Sequence, residues 1–189
     1  MKNEIFERAV HFALEAHRGQ LRKDGGLYIL HPLEDATIVG TMTNDPEVLA
    51  AAVLHDTIED TDTTYEDLLE NFGERVAMLV EHETEDKRPE MSKSDSWKIR
   101  KEESLEVLKN SDDINVKILW VGDKLSNIRS LYRGYLELGD AIFNRFNETD
   151  PQQQRWYHET VIEYTSDLEG CEAYEEYKKI FHKIFDNFE

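Results

Sequence analysis

The sequence holds a single cysteine, Cys171, among 189 residues. That excludes an internal disulfide, and a lone thiol suits a reducing compartment. Glycine and proline are also sparse, nine and four, so few points oblige a helix to break. Apolar runs are short: none approaches the roughly 18 residues of a membrane-spanning helix. The N-terminus, MKNEIFERAVHF, lacks the apolar stretch of a signal peptide. Basic residues are outnumbered, 22 Lys+Arg against 41 Asp+Glu, for a formal net charge of −19. Such a surface repels DNA, RNA and anionic membranes. Against these deficits stands a 39% hydrophobic share with 10% aromatics, which argues for a folded chain rather than an acidic disordered one. The expectation is one cytoplasmic domain, 1–189, large enough for a real core.

The apolar pattern is helical almost throughout. Asn3 is placed to cap a helix whose inward positions are Ile5, Phe6, Ala9, Val10, Ala13 and Leu14. Gly19 and Gly25-Gly26 break it, leaving the loop GQLRKDGGLYI. Pro32 suits the first turn of the next helix, with Leu33, Ala36, Val39 and Met42 inward, and Asp45-Pro46 starts another. Thr63 followed by Glu66 reads as a capping box for a helix that Gly73 ends. Segments 74–84, 94–110 and 152–187 are helical, the last as two helices joined near Gly170. The clearest stripe is Ile114, Ile118, Val121, Leu125, Ile128, Tyr132 and Tyr135. Beside it, Asp123, Asn127 and Ser130 share a neighbouring face. The fold class expected is all-α.

The stretch VLHDTIEDT, Val53–Thr61, ends an apolar run with a His-Asp pair and then an acidic pair, Glu59-Asp60. It is either a helix end trimmed with polar groups or a scaffold for a metal site. His31, His55, Asp56 and Asp123 make a mixed N/O donor set of the kind that suits Mn²⁺, Fe²⁺ or Zn²⁺. With no thiolate among them, a structural zinc is a poor fit. Charge clusters locally as well: Arg18, Arg22 and Lys23 form one basic island, and Lys87, Arg88, Lys93, Lys98, Arg100 and Lys101 another. These are either solvated helix charge or a seat for a compact, highly charged anion.

Three pieces in order, RKDGGLYILHP, VLHDTIEDT and VGDKLSNIRSL, resemble the HD-superfamily hydrolase domain of RelA/SpoT-type proteins. The resemblance covers most of residues 1–135, with the core motifs within 17–135. It implies an HD-domain bundle of roughly eight to ten helices, with the C-terminal helices 152–187 completing the pocket. His31, His55, Asp56 and Asp123 would hold one Mn²⁺ per chain, and Glu59 and Asp60 would be the catalytic acidic pair. Arg22 would pack on a guanine and Lys23 lie near phosphates, with Asn127 and Ser130 facing the nucleoside. Lys98, Arg100 and Lys101 are further candidates for phosphate oxygens, and Tyr157 for the substrate pocket. Tyr28 is read as packing. The activity implied is a stand-alone 3′-pyrophosphohydrolase of (p)ppGpp, giving GDP or GTP and pyrophosphate. The rivals are a phosphohydrolase of another nucleotide (an adenosine alarmone or a phosphorylated dinucleotide) and a catalytically silent nucleotide sensor. The partner expected is a small nucleotide, not nucleic acid or membrane.

Three features depart from the pattern. Leu27 stands where proline is common, Ser126 replaces a histidine, and segment 87–101 has no clear counterpart. None of them is expected to touch a ligand or the acidic pair.

Overall fold

The computed structural model describes residues 4–22 and 25–186. Asn3 and Lys23 therefore lie outside the described residues. The described chain is helical, its one β element being an isolated antiparallel bridge between Leu21 and Leu27. No helix of the described residues is long and apolar enough to cross a membrane.

The centre of the fold is α3, Pro46–Leu54. Asp45 caps it by accepting from the Glu47 amide, and Pro46 opens its first turn. Val48 and the run Ala50–Leu54 are fully buried. The three alanines give this helix a thin profile, so neighbours pack close on several sides. They are α1 (Glu4–Ala16), α2 (Leu30–Val39) and α6 (Glu74–Glu81). A helix apolar all round belongs in the middle of a domain. The chain then turns at His55-Asp56 into the short α4, Thr57–Asp60.

The capping box before α5, Tyr65–Phe72, uses Thr64 and Asp67, one residue beyond the pair read from the sequence. Gly73 ends α5 at φ 87°, a conformation that favours glycine. The segments expected at 74–84 and 94–110 appear as α6 and α7, Lys93–Lys109. Helix α8, Ile114–Leu138, is the longest and packs against α2, and a 3-10 turn at Gly139–Arg145 follows it. The C-terminal segment divides into α9 (Pro151–Tyr164) and α10 (Glu172–Phe185), with Gly170 at φ 89° between them. Helix α10 lies on α8, and α9 on α7.

Two inward assignments fail at helix edges. Leu14 and Ile114 are exposed, because they begin or flank their stripes rather than centre them. Ala9, Ala13, Ile118, Val121, Leu125 and Ile128 are buried as the period requires.

Candidate metal centre and nucleotide cavity

Three helices deliver four polar side chains to one point. His31 comes from the first turn of α2, His55 and Asp56 from the junction after α3, and Asp123 from the middle of α8. His31 Nε2 lies 3.1 Å from Asp123 Oδ1 and 3.5 Å from Asp56 Oδ2. His55 Nε2 lies 3.1 Å from Asp56 Oδ2 and 3.7 Å from Asp123 Oδ1. The two Nε2 atoms are 3.3 Å apart.

The other ring nitrogens fix what the inner ones present. His55 Nδ1 donates to the Ala52 carbonyl at 2.7 Å, which leaves Nε2 with a lone pair in the neutral ring. The Ser126 hydroxyl gives its one proton to Glu34 at 3.0 Å. It therefore accepts from His31 Nδ1 at 2.9 Å, and His31 Nε2 likewise presents a lone pair. Two lone pairs and two carboxylates facing one another repel unless a cation lies among them. One ligand atom each from His31, His55 and Asp123 falls within 4.8 Å of the others, so the donor set fits a divalent ion.

The surrounding carboxylates make this point strongly negative. Burial opposes charge on His55, but Asp56, Asp35 and Asp123 outweigh it and push its pKa well up; the field that draws a proton to the ring is the one a metal cation would meet. Burial would raise Asp123, yet Lys124 and the two histidines hold it well below the carboxylate range. The Lys124 ammonium bonds Asp123 Oδ2 and lies over the Trp120 ring, 4.7 Å from its centroid.

A cavity of about 650 Å³ opens from this point, a size suited to a nucleotide-scale ligand. His31, His55, Asp56 and Asp123 form part of its wall, as do Arg22, Glu59, Arg100, Lys101, Asn127, Ser130 and Tyr157. Asn127 ties the wall together, donating to Asp123 Oδ1 at 2.6 Å and accepting from Arg22 at 3.2 Å. Arg100 and Lys101 both pair with the buried Glu85, at 2.5 and 2.6 Å. Tyr157, a candidate for the substrate pocket, is buried yet reaches the cavity, and its hydroxyl has no hydrogen-bond partner. Lys98 stands apart from these: it lies over the Trp156 ring and is not part of the wall.

The acidic pair divides. Glu59 lines the cavity, and burial, with Glu85, Asp56 and Asp60 nearby, raises its pKa to about 7. Asp60 is not part of the wall; it is held by Tyr28 and Lys87. Tyr28 is thus more than packing, because its hydroxyl meets both Asp56 Oδ2, at 2.6 Å, and Asp60 Oδ2. Two departures in the sequence do touch the site. Ser126 bonds His31, and Lys87 of the basic segment bonds Asp60. Leu27 closes its loop by bridging to Leu21, with Gly25 at φ 86° making the turn.

Sequence reading passed over Glu83 and His158. Both carboxylate oxygens of Glu83 are buried without a hydrogen-bond partner, and burial raises its pKa to about 7. His158 accepts from or donates to the Tyr177 hydroxyl at 2.7 Å. Burial, with Lys124 and Lys101 nearby, lowers its pKa to about 3. The only sequence signal for either was its place on a segment that turns out to border the cavity.

Known proteins resemble this chain in sequence and in fold. A profile of the HD domain family matches residues 9–146. An Aquifex aeolicus protein named guanosine-3′,5′-bis(diphosphate) 3′-pyrophosphohydrolase is 42% identical over 129 residues, 68% of this chain and 18% of its own length. A Myxococcus xanthus protein named GTP pyrophosphokinase is 37% identical over 130 residues, 68% of this chain and 17% of its own. The chain thus spans less than a fifth of the length of these curated relatives. A solved structure of a metazoan orthologue of SpoT, described as hydrolysing ppGpp, superposes with a TM-score of 0.75 at 27% identity and covers 95% of each chain. With its fold, its converging His and Asp side chains and the matched span in agreement, the chain belongs to the HD domain family.

Proposed function

We propose that this chain is a Mn²⁺-dependent hydrolase that removes the 3′-pyrophosphate of (p)ppGpp, releasing GDP or GTP and pyrophosphate. The observation that carries the reading is the convergence of His31, His55, Asp56 and Asp123 at the wall of a nucleotide-sized cavity that Glu59 also lines. The names of the relatives and of the solved structure supply the substrate class. A bound Mn²⁺ would polarise a phosphoryl oxygen and make hydroxide accessible near neutral pH.

The residues divide the remaining work. Glu59, raised to about 7, accepts a proton from the attacking water; a base with a pKa near the working pH is the efficient choice. Attack at the phosphorus next to the ribose breaks the P–O3′ bond, and the released 3′-oxygen takes up a proton. Asp60 acts one step back, fixing Tyr28 beside the ligand Asp56. Arg100 and Lys101 supply positive charge for phosphate, with Glu85 holding them in place. Arg22, held by Asn127, offers a guanidinium plane on which a base can stack. Lys23 and Ser130 are the further contacts proposed for phosphate and nucleoside. Such a substrate implies a cytoplasmic enzyme.

The test is purified protein with Mn²⁺ and ppGpp, with product identification. Pyrophosphate with GDP supports the reading. Turnover of adenosine alarmones in preference to ppGpp transfers the assignment to another nucleotide. Binding of ppGpp without turnover makes the chain a sensor.

A further inference from the structure

VLHDTIEDT is not the only place with an acidic pair beside a histidine. HPLEDAT carries Glu34-Asp35, three and four residues after His31 on α2. We propose that these two acids support the metal centre from behind, one for each histidine: Asp35 backs the His55 ring directly, and Glu34 positions His31 through Ser126. The inference rests on the metal centre read above and adds residues that do not touch the ion.

Asp35 is fully buried. Neither of its oxygens has a well-formed hydrogen bond, and its ion pair is with His55 Nδ1 at 3.2 Å. That nitrogen already donates to the Ala52 carbonyl, so the ring's direction is set. Burial pushes the Asp35 pKa well up while His55 draws it down, so a cation held on the far side of the ring would favour a charged carboxylate behind it. A buried carboxylate so poorly partnered destabilises the fold, and an aliphatic side chain would fill the space at no such cost. The fold also makes room for it. A Cβ at Gly122 would lie 2.2 Å from Asp35 Oδ1 and 2.6 Å from Val39 Cγ2. Glycine inside a helix is itself unfavourable, and this one immediately precedes Asp123. Two locally unfavourable residues therefore meet behind a metal-binding ring. Negative charge there makes the imidazole a stronger donor to a cation.

The arrangement at His31 differs in form. Glu34 accepts from Ser126 and also pairs with Arg129 at 3.2 Å, and Arg129 is held by Glu176 of α10 at 2.6 Å. Ser126 accepts from His31, so the acid orients the ring through one hydroxyl. Both chains end on Nδ1 and leave Nε2 facing the centre.

The test measures Mn²⁺ affinity of metal-stripped protein without nucleotide, for wild type, Asp35→Asn and Glu34→Gln, with melting of each metal-free protein alongside. Loss of such an outer partner typically weakens metal binding 10- to 100-fold. Each variant should show a weakening in that range, and metal-free Asp35→Asn should melt no lower than wild type. Glu34 is half-exposed, so its variant reports even if Asp35→Asn fails to fold. Affinities within twofold of wild type would overturn the proposal. So would an Asp35→Asn variant that melts lower while keeping its affinity, since that is a packing role. If wild type bound no divalent ion, the metal centre itself would be the failed reading; if wild type bound and the variants matched it, only this inference would fall.

Discussion

Tyr28 has one hydroxyl proton and two carboxylates within reach, Asp56 and Asp60. Its ring stacks on the buried His17, centroids 4.8 Å apart, and Gln20 bonds both His17 and the Asp60 carbonyl. Tyr28→Phe keeps the stack and removes the hydroxyl, so kcat should fall with little change in melting temperature. An unchanged kcat would return Tyr28 to packing. For Glu59→Gln, kcat should drop about 10²- to 10⁴-fold, the usual contribution of a positioned base, while metal content by elemental analysis stays at wild type. His158 makes a stability prediction. Its folded pKa, about 3, lies below the ordinary 6.5, so the unfolded chain binds more protons across that window. Stability is therefore full above about pH 6.5 and falls as pH drops toward about 3. Urea midpoints of His158→Gln should lose part of that slope, by at most about 1.4 kcal/mol per pH unit. A slope identical to wild type would mean that the imidazole takes up its proton at the same pH in both states.

At the scale of elements, helix boundaries marked by Pro46, Gly73 and Gly170 were legible, because each supplies a backbone angle or a missing amide that allows few alternatives. The row Asp123, Asn127 and Ser130 was legible for a similar reason, since helical spacing alone puts three residues on one face. What the sequence hid depends on approach between elements. Lys98 and Arg100 look equivalent in a basic run, yet one crosses an indole and the other joins a buried carboxylate. Nothing in the sequence marks Asp35 or Glu83, because their burial is set by partners distant in the chain. Gly134 gives a test of such an approach: a Cβ there would meet Ile142 Cδ1 at 2.5 Å. Gly134→Ala should gain about 1 kcal/mol of helix propensity yet lower the melting temperature, because overpacking typically costs about 1–3 kcal/mol. Adding Ile142→Ala should cost less than the two single changes summed. Strict additivity would show that the 3-10 turn simply shifts aside.

Across the whole molecule, one divalent ion would clamp helices far apart in sequence, since His31, His55-Asp56 and Asp123 belong to α2, the α3–α4 junction and α8. Binding to the native state alone stabilises by mass action, about 4 kcal/mol at a concentration about 1,000 times Kd. Mn²⁺ should therefore raise the melting temperature, and a chelator should reverse it. A chelator-insensitive melting temperature would place the ion elsewhere or nowhere. The residues that line the cavity from α8 also set a length scale. Asp123, Lys124, Asn127, Ser130, Arg133, Gly134 and Glu137 all face it, and at 1.5 Å per residue they mark off about 20 Å. A ligand gripped at such an ion would thus be measured against a graduated rod. Point changes erase single marks on that rod. A one-residue insertion after Lys124 does more, turning every later mark by about 100°, so the ion could still bind while the far end of its ligand found no partner in phase.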